Sequence, residues 1–264
     1  MLVKLVTFQK VSKTPASKLT PSQQKDFFGD RLIIEKYVYA MSDLAKFHDE
    51  KYKSSRNAGL PGWGGTDRIA NLPKMIDERF LFLESLPRTG RLLELGCGAG
   101  NISIELAKRG YEVTGIDFSE TAIDWAQENA VSAKAQADFR VADVTNLSAF
   151  EAESFDIVFD GNCIHCLVGE KREAAFQEIH RVLKPKGILF VSSLSAPQSN
   201  TRFPENFDSQ SRVLFENGVP YRFVPSPEFL EREISRVGFE VLQKFIRDGS
   251  PFGHTSIHAR KSEQ

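Results

Sequence analysis

Residues 92–107 read Leu92-Leu-Glu-Leu-Gly96-Cys-Gly98-Ala-Gly100-Asn-Ile-Ser-Ile-Glu-Leu-Ala107. A short apolar segment runs directly into three glycines at every second position, and an amphipathic segment follows them. Glycine permits the sharp turn that this order requires, and it lets a bound group approach the bare backbone. The start of the next helix offers unpaired N–H groups and the positive end of the helix dipole. The stretch therefore predicts a strand, a ligand-binding turn and a helix.

The segments around this stretch alternate between strand and helix patterns. Apolar and β-branched runs predict strands at 91–95, 112–116, 139–142, 155–159, 188–192, 239–245 and 255–260. Apolar residues recur at helical intervals between these strands, and also before them at 31–47 and 72–83. Strands that alternate with helices in this way predict a parallel sheet covered on both faces.

Two aspartates stand at the ends of neighbouring predicted strands. Asp117 ends the second strand, where a carboxylate can accept both hydroxyls of a ribose. Asp143 ends the third strand and is placed for a hydrogen bond to an adenine amino group. Open α/β sheets bind ligands at this edge, so the pair predicts an adenosine-containing ligand. The dinucleotide fingerprint needs a glycine where this chain has Asn101, which disfavours NAD.

Taken in order, these motifs resemble those of the class I S-adenosylmethionine-dependent methyltransferases. The resemblance covers about residues 88–193 and rests on Glu94–Gly100, Asp117, Asp143, Phe155–Asp160 and Leu183–Gly187. It implies an α/β, Rossmann-like methyltransferase fold: a doubly wound, mostly parallel sheet of seven strands, one of them antiparallel. A helical N-terminal cap and an insertion after the fifth strand complete the expected fold. The implied cofactor is S-adenosyl-L-methionine.

The resemblance also implies which residues contact the cofactor. The glycine loop would hold its methionine part, Asp117 its ribose, and Asp143 with Val144 its adenine. The end of the fourth strand would flank the methionine end and the transferred methyl. The complete expected set is Glu94, Gly96, Cys97, Gly98, Gly100, Asp117, Phe118, Asp143, Val144, Asp160 and Asn162. The resemblance does not fix the methyl acceptor.

Catalytic side chains leave a weaker signature. Methyl transfer from a sulfonium has a neutral leaving group, so a general base is needed only for an acceptor that is protonated at working pH. His165, just past the fourth strand, is the candidate base; the alternative is a scaffold residue that packs or hydrogen-bonds locally. Cys163 and Cys166 lack the further ligands of a structural zinc, so no metal is predicted and both are expected to be small buried hydrophobes.

Two segments are candidates to cover the site. The first, 47–65, sets aromatic residues among glycines as lids do, and resembles the lids of the thiopurine and tellurite methyltransferase group. The second, 195–225, carries four prolines, aromatic residues and arginines. The predicted lid residues are Tyr52, Trp63, Phe203, Phe207 and Tyr221. A packed helical cap and a satellite apolar cluster remain the alternatives, and the arginines could steer an anionic acceptor or only face solvent.

Composition limits the class of protein. Thirty-four basic and 35 acidic residues among 264 give a net charge of −1, which disfavours nucleic-acid binding by bulk electrostatics. Three cysteines and the lack of a long apolar run predict a cytoplasmic protein with no membrane partner. We expect a flexible tail at 1–25 and one methyltransferase domain at 26–264. Its expected parts are a cap or lid (26–87), a cofactor-binding core (88–193), a substrate-side insertion (194–226) and a final helix and strand pair (227–264).

The predicted function is methyl transfer to the O, N or S atom of a small molecule. A protein methyltransferase and a non-catalytic S-adenosylmethionine-binding module are the alternatives. The fourth strand ends in Asp160-Gly-Asn-Cys, not in the Asn/Asp-Pro-Pro-aromatic pattern of amino-methylating DNA and protein enzymes. The sequence makes no prediction of oligomeric state.

Overall fold

The computed structural model describes residues 41–63, 65–81, 83–197 and 202–263, so the predicted tail at 1–25 and the helical pattern at 31–40 lie outside the described residues. The strands are β1 (Gly90–Leu95), β2 (Tyr111–Asp117), β3 (Ala137–Val141), β4 (Phe155–Gly161), β5 (Leu183–Ser195), β6 (Phe207–Asp208), β7 (Val213–Glu216), β8 (Val219–Phe223), β9 (Phe239–Arg247) and β10 (Gly253–Lys261). The helices are α1 (Met41–Asn57), α2 (Gly65–Ala70), α3 (Leu72–Arg79), α4 (Asn101–Lys108), α5 (Glu120–Ala133), α6 (Glu170–Val182) and α7 (Pro227–Arg236), with a 3-10 turn at Ile164–Cys166.

Seven of the strands form one sheet in the order β3-β2-β1-β4-β5-β10-β9. The pairings among β1 to β5 are parallel, while β10 is antiparallel to both of its neighbours, β5 and β9. This confirms the expected seven-stranded sheet with one antiparallel strand. Among the described residues, no helix is long and apolar enough to cross a bilayer.

The central strands are apolar on both faces because helices cover both sides of the sheet. Successive side chains of a strand point to opposite faces. Leu92 and Ile157 accordingly belong to one buried cluster, and their chain neighbours Leu93 and Val158 belong to another. The sheet is therefore buried on both faces, which is why its strands read as apolar runs and not as alternating patterns.

The register of the parallel strands brings the candidate site together. Leu95 of β1 pairs with Ile116 of β2 on one side and with Asp160 of β4 on the other. β2 and β3 lie on one side of β1, and β4, which follows β3 along the chain, lies on the other side, so the strand order reverses at β1 and a crevice opens there. The glycine loop after β1, Asp117 and the end of β4 consequently lie at one edge.

Local sequence explains where the flanking helices begin. The side chain of Ser119 accepts a hydrogen bond from the amide of Ala122 at the start of α5. Ser226 does the same for Phe229 at the start of α7, where Pro227 occupies the first turn. Serine caps satisfy backbone donors that a helix start leaves free, and proline is tolerated there because it has no N–H to lose.

The insertion after β5 is more regular than its sequence suggested. None of the predicted strands falls within 195–225, but the described part of this segment forms a three-stranded antiparallel sheet, β6-β7-β8. Asn217 and Gly218 connect β7 to β8 with φ of 52° and 79°. Asn-Gly is the sequence pair that favours a two-residue turn with both φ values positive. That dipeptide was the signal for a hairpin, and the prolines around it masked it.

Candidate active site

A cleft of about 480 Å³ opens at the carboxyl edge of the sheet, within the size range of small-molecule sites. Its floor is the glycine loop after β1 and the ends of β2 and β4, and its walls are α1 and β8. The predicted cofactor residues that line it are Glu94, Gly96, Cys97, Gly98, Asp117, Phe118, Asp143, Val144 and Asn162. Gly100 and Asp160 do not line the cleft and lie beneath it.

Each glycine of the loop has a positive φ, which residues other than glycine rarely adopt. A Cβ on Gly96 would lie 2.7 Å from Cβ of Cys163. A Cβ on Gly100 would lie 2.8 Å from the Phe139 ring. These two glycines allow the loop to pack against its neighbours, and Gly98 is the one whose missing side chain faces the cleft.

Asp117 is a carboxylate held by backbone donors. Its Oδ1 accepts the amide of Ser119 and its Oδ2 accepts the amide of Gly98, both at 3.0 Å. Burial raises the pKa of Asp117, and the hydrogen bonds to its charged form oppose that rise. The carboxylate is therefore fixed in orientation before any ligand binds.

The hydroxyl of Tyr52 donates to Oδ2 of Asp117 at 3.1 Å. This is the kind of bond that a ribose hydroxyl would make with the same carboxylate, and the Tyr52 ring also lies directly over Gly98. In this conformation Tyr52 occupies part of the predicted ribose position. The tyrosine must move, or share the carboxylate, when a nucleoside binds.

Two further acids sit at the methionine end of the predicted site. Burial raises the pKa of Glu94 to about 8 and that of Asp160 to about 7. Asp160 Oδ1 accepts the amides of Cys163 and Ile164, while its Oδ2 has no hydrogen-bond partner among the described residues. S-adenosylmethionine carries a net positive charge, which favours the ionised forms of these acids. The acids of the cleft therefore fit this cofactor.

At the other end, Asp143, Val144 and Phe118 line the cleft together, as expected for an adenine site. Asp143 Oδ1 accepts both the amide and the hydroxyl of Thr145 at 2.8 Å. Both aspartates at the strand ends thus face one cleft.

The candidate base, His165, is buried in the 3-10 turn after β4 and lines the cleft. Its Nδ1 accepts the amide of Leu194 at 3.2 Å. A neutral ring with Nδ1 as acceptor carries its proton on Nε2, so it has no free lone pair for an acceptor's proton. The geometry favours a positioning role for His165 over that of a general base.

His48 and Arg222 also line the cleft. His48 was not predicted as a site residue, whereas Arg222 is one of the arginines of 195–225 for which steering of an anionic acceptor and solvent exposure were the alternatives. His48 Nδ1 bonds the Leu44 carbonyl at 2.9 Å, and its Nε2 bonds Arg222 Nη1 at 3.0 Å. Burial, with a smaller contribution from Arg222, lowers the pKa of His48 to about 4, so the ring is neutral and accepts the guanidinium N–H. The spacing of Leu44, His48 and Tyr52 by four residues was the available signal, since it puts all three on one face of α1.

The predicted lid residues separate into two groups. Tyr52 and Trp63 line the cleft and stack edge to face, with ring centroids 5.1 Å apart. Tyr221 packs against Phe47 outside the cleft lining. Phe203 and Phe207 pack against Phe252 instead, at 5.8 and 5.2 Å, and do not reach the cleft. They form the satellite cluster that the sequence left as an alternative.

The two cysteines of the predicted C-x-x-C pair are free and line the cleft, so they are less buried than we expected. Burial raises the pKa of both thiols, to about 11 for Cys166. Their thiols are therefore protonated near neutral pH.

Comparison with known proteins agrees with this geometry. Residues 93–191 match the family model described as a methyltransferase domain. YqeM of Bacillus subtilis, a protein named as a methyltransferase, is 37% identical to this chain over 123 residues, which are 46% of this chain and 49% of YqeM. The S-adenosyl-L-methionine-dependent Diels-Alderase iccD of Talaromyces variabilis is 28% identical over 68% of this chain and 63% of its own. The chain thus spans about half to two thirds of the curated relatives it matches.

Among solved structures, the 1,6-didemethyltoxoflavin-N1-methyltransferase of Burkholderia thailandensis has the same fold. Its TM-score is 0.62 at 19% identity, over 86% of this chain and 92% of that one. The sheet order and the acids of the cleft agree with this match, and residues 93–191 of the chain carry a methyltransferase domain.

Proposed function

We propose that this protein transfers the methyl group of S-adenosylmethionine to a small-molecule acceptor. The observation that carries the proposal is the cleft in which the glycine loop, Asp117 and Asp143 meet, since these residues suit the cofactor and a volume of about 480 Å³ is typical of small-molecule sites. The Burkholderia neighbour, whose structure holds 1,6-didemethyltoxoflavin and S-adenosylhomocysteine, is consistent with this.

When bound, the cofactor supplies a methyl group activated by a sulfonium. The acceptor lone pair would form the new bond to this carbon as the carbon–sulfur bond breaks, and the electron pair of that bond would remain on sulfur. An acceptor that carries a proton would lose it to bulk solvent before it binds or with the product. The contribution of the chain is to orient the two molecules and exclude solvent, which can supply much of such a rate. Tyr52 of α1 and Trp63 of the loop after it line the cleft and would help to exclude solvent.

The test is calorimetric binding of S-adenosylmethionine and S-adenosylhomocysteine, with a metabolite screen scored by release of S-adenosylhomocysteine. Asp117→Ala should abolish measurable binding, and Asp138→Ala, an aspartate paired with Arg140 outside the cleft lining, is the matched control. Wild-type protein that binds neither ligand below millimolar concentration would contradict the proposal.

A second candidate is a cycloaddition catalyst that binds the cofactor without consuming it. It is favoured by the alignment with the Diels-Alderase iccD, which covers 68% of this chain. The screen separates the two functions, because only methyl transfer releases S-adenosylhomocysteine in proportion to product.

A further inference from the structure

Arg222 is a cation in the cleft wall that forms no ion pair with any described residue. Its Nη1 donates to His48 Nε2 at 3.0 Å and to the Tyr221 carbonyl at 2.7 Å. Its Nε and Nη2 make no hydrogen bond within the described part of the chain. These two nitrogens form the side of a guanidinium that binds a planar carboxylate with two parallel hydrogen bonds.

Another buried arginine shows how the chain satisfies a structural guanidinium. Arg172, 3% exposed, donates through Nε and Nη2 to the two carboxylate oxygens of Glu233 at 2.8 and 2.7 Å. Arg222 has the same side of its guanidinium available. Glu216, an acid of the same small sheet, is held by Lys51 at 2.6 Å. Arg222 is therefore left for a ligand.

Aromatic groups shape the space around this cation. The guanidinium lies 5.9 Å from the Trp63 ring and 5.0 Å from the Tyr221 ring. The His48 ring, which holds Arg222, packs at 5.6 Å on Trp63 and at 5.5 Å on Phe118. These rings offer flat apolar surface, and they keep the guanidinium oriented by stacking.

The lining of the cleft carries charges of both signs. Glu94 and Asp117 lie on the cofactor side, and Arg222 lies on the wall formed by β8. A cationic ligand is favoured at the first position and an anionic one at the second. Water exclusion by the aromatic rings strengthens both interactions.

We propose that the acceptor is an anionic molecule with a flat apolar body, whose carboxylate binds the free side of Arg222. The inference rests on the proposed methyl transfer and names the class of its acceptor. The carboxylate anchors the molecule, and the methylated atom is a hydroxyl, amino or thiol group elsewhere on the same body.

The experiment compares matched acceptors and arginine variants. Hydroxy-, amino- and mercapto-substituted benzoates and cinnamates are assayed beside their primary amides, with S-adenosylhomocysteine release as the readout. We expect the acids to be preferred at least tenfold in kcat/KM. Arg222→Gln should remove that preference, and Arg222→Lys should retain part of it. Arg212→Gln, on the same insertion but stacked over Phe229, should leave it unchanged.

Equal rates with acids and amides would overturn the inference, as would an unchanged preference in Arg222→Gln or a lack of turnover in both series. S-adenosylmethionine binding is measured on the same samples. If binding persists while the acids are not preferred, only this inference fails. If binding is absent, the proposed function fails as well.

Discussion

Replacing Glu94 with glutamine should reduce the number of protons released when S-adenosylmethionine binds. Glu94 lines the cleft, and its buried carboxyl accepts the hydroxyl of Ser103. With a pKa of about 8 it holds about 0.9 of a proton at pH 7 when the cleft is empty. Glutamine has nearly the shape of the protonated acid, so the empty cleft should be little changed.

The magnitude follows from the charge of the cofactor. An opposite charge within a few ångströms lowers the pKa of an acid by about 1–3 units. A fall in the pKa of Glu94 to about 6 would release about 0.8 of a proton at pH 7. Asp160, with a pKa of about 7, adds up to about half a proton. Wild-type protein should release about 1.3 protons and the glutamine variant about 0.5.

The assay is isothermal calorimetry at pH 7 in buffers of different ionisation enthalpy, where the slope of the binding heat gives the number of protons. Wild-type affinity should also rise between pH 6 and 8, and less steeply in the variant. Glu112→Gln, an exposed glutamate at the opposite edge of the sheet, is the control. Equal slopes for wild type and Glu94→Gln would refute the reasoning.

Three further outcomes are expected. The folded-state pKa values of Glu94 and Asp160 lie above their unfolded values, so the free energy of unfolding without ligand should fall as pH rises from 5 to 9. The fall is at most about 1.4 kcal/mol per pH unit for each group. Urea unfolding measures this free energy, and an increase with pH would contradict the prediction. Gly100→Ala would place a Cβ 2.8 Å from the Phe139 ring at a residue whose φ is 74°, so we expect about 2–5 kcal/mol of destabilisation in the same assay. A loss of less than about 1 kcal/mol would argue against the packing described. Tyr52→Phe removes a competitor for Asp117 and should tighten S-adenosylmethionine binding about three- to tenfold by calorimetry, whereas weaker binding would show that the hydroxyl contacts the cofactor.

Most of the cofactor side could be predicted from sequence because it depends on local order. A strand, a glycine turn and a helix follow one another directly at Leu92–Ala107, and Asp117 and Asp143 follow the next strands. Parallel strands bring their carboxyl ends to one edge, so positions in the chain translate into positions in space. His165 was located in the same way, but its hydrogen bond to Leu194, which bears on its role, comes from a strand 29 residues later.

The acceptor side could not be predicted in this way. Phe203, Phe207 and Tyr221 were predicted alike as lid residues, yet Phe203 and Phe207 pack against Phe252 and Tyr221 packs against Phe47. A one-residue change of register along a strand reverses which face a side chain joins, and composition does not report register.

By itself the sequence determined the sheet, the glycine turn and the acids of the cofactor cleft, since each depends on a short pattern that any parallel α/β sheet places alike. Tertiary structure alone decided that His48 of α1 meets Arg222 of β8, 174 residues apart in the chain. That contact joins elements with no shared local pattern, and only the packing of α1 and the Asn217–Gly218 hairpin over the same cleft brings the two side chains within hydrogen-bond distance.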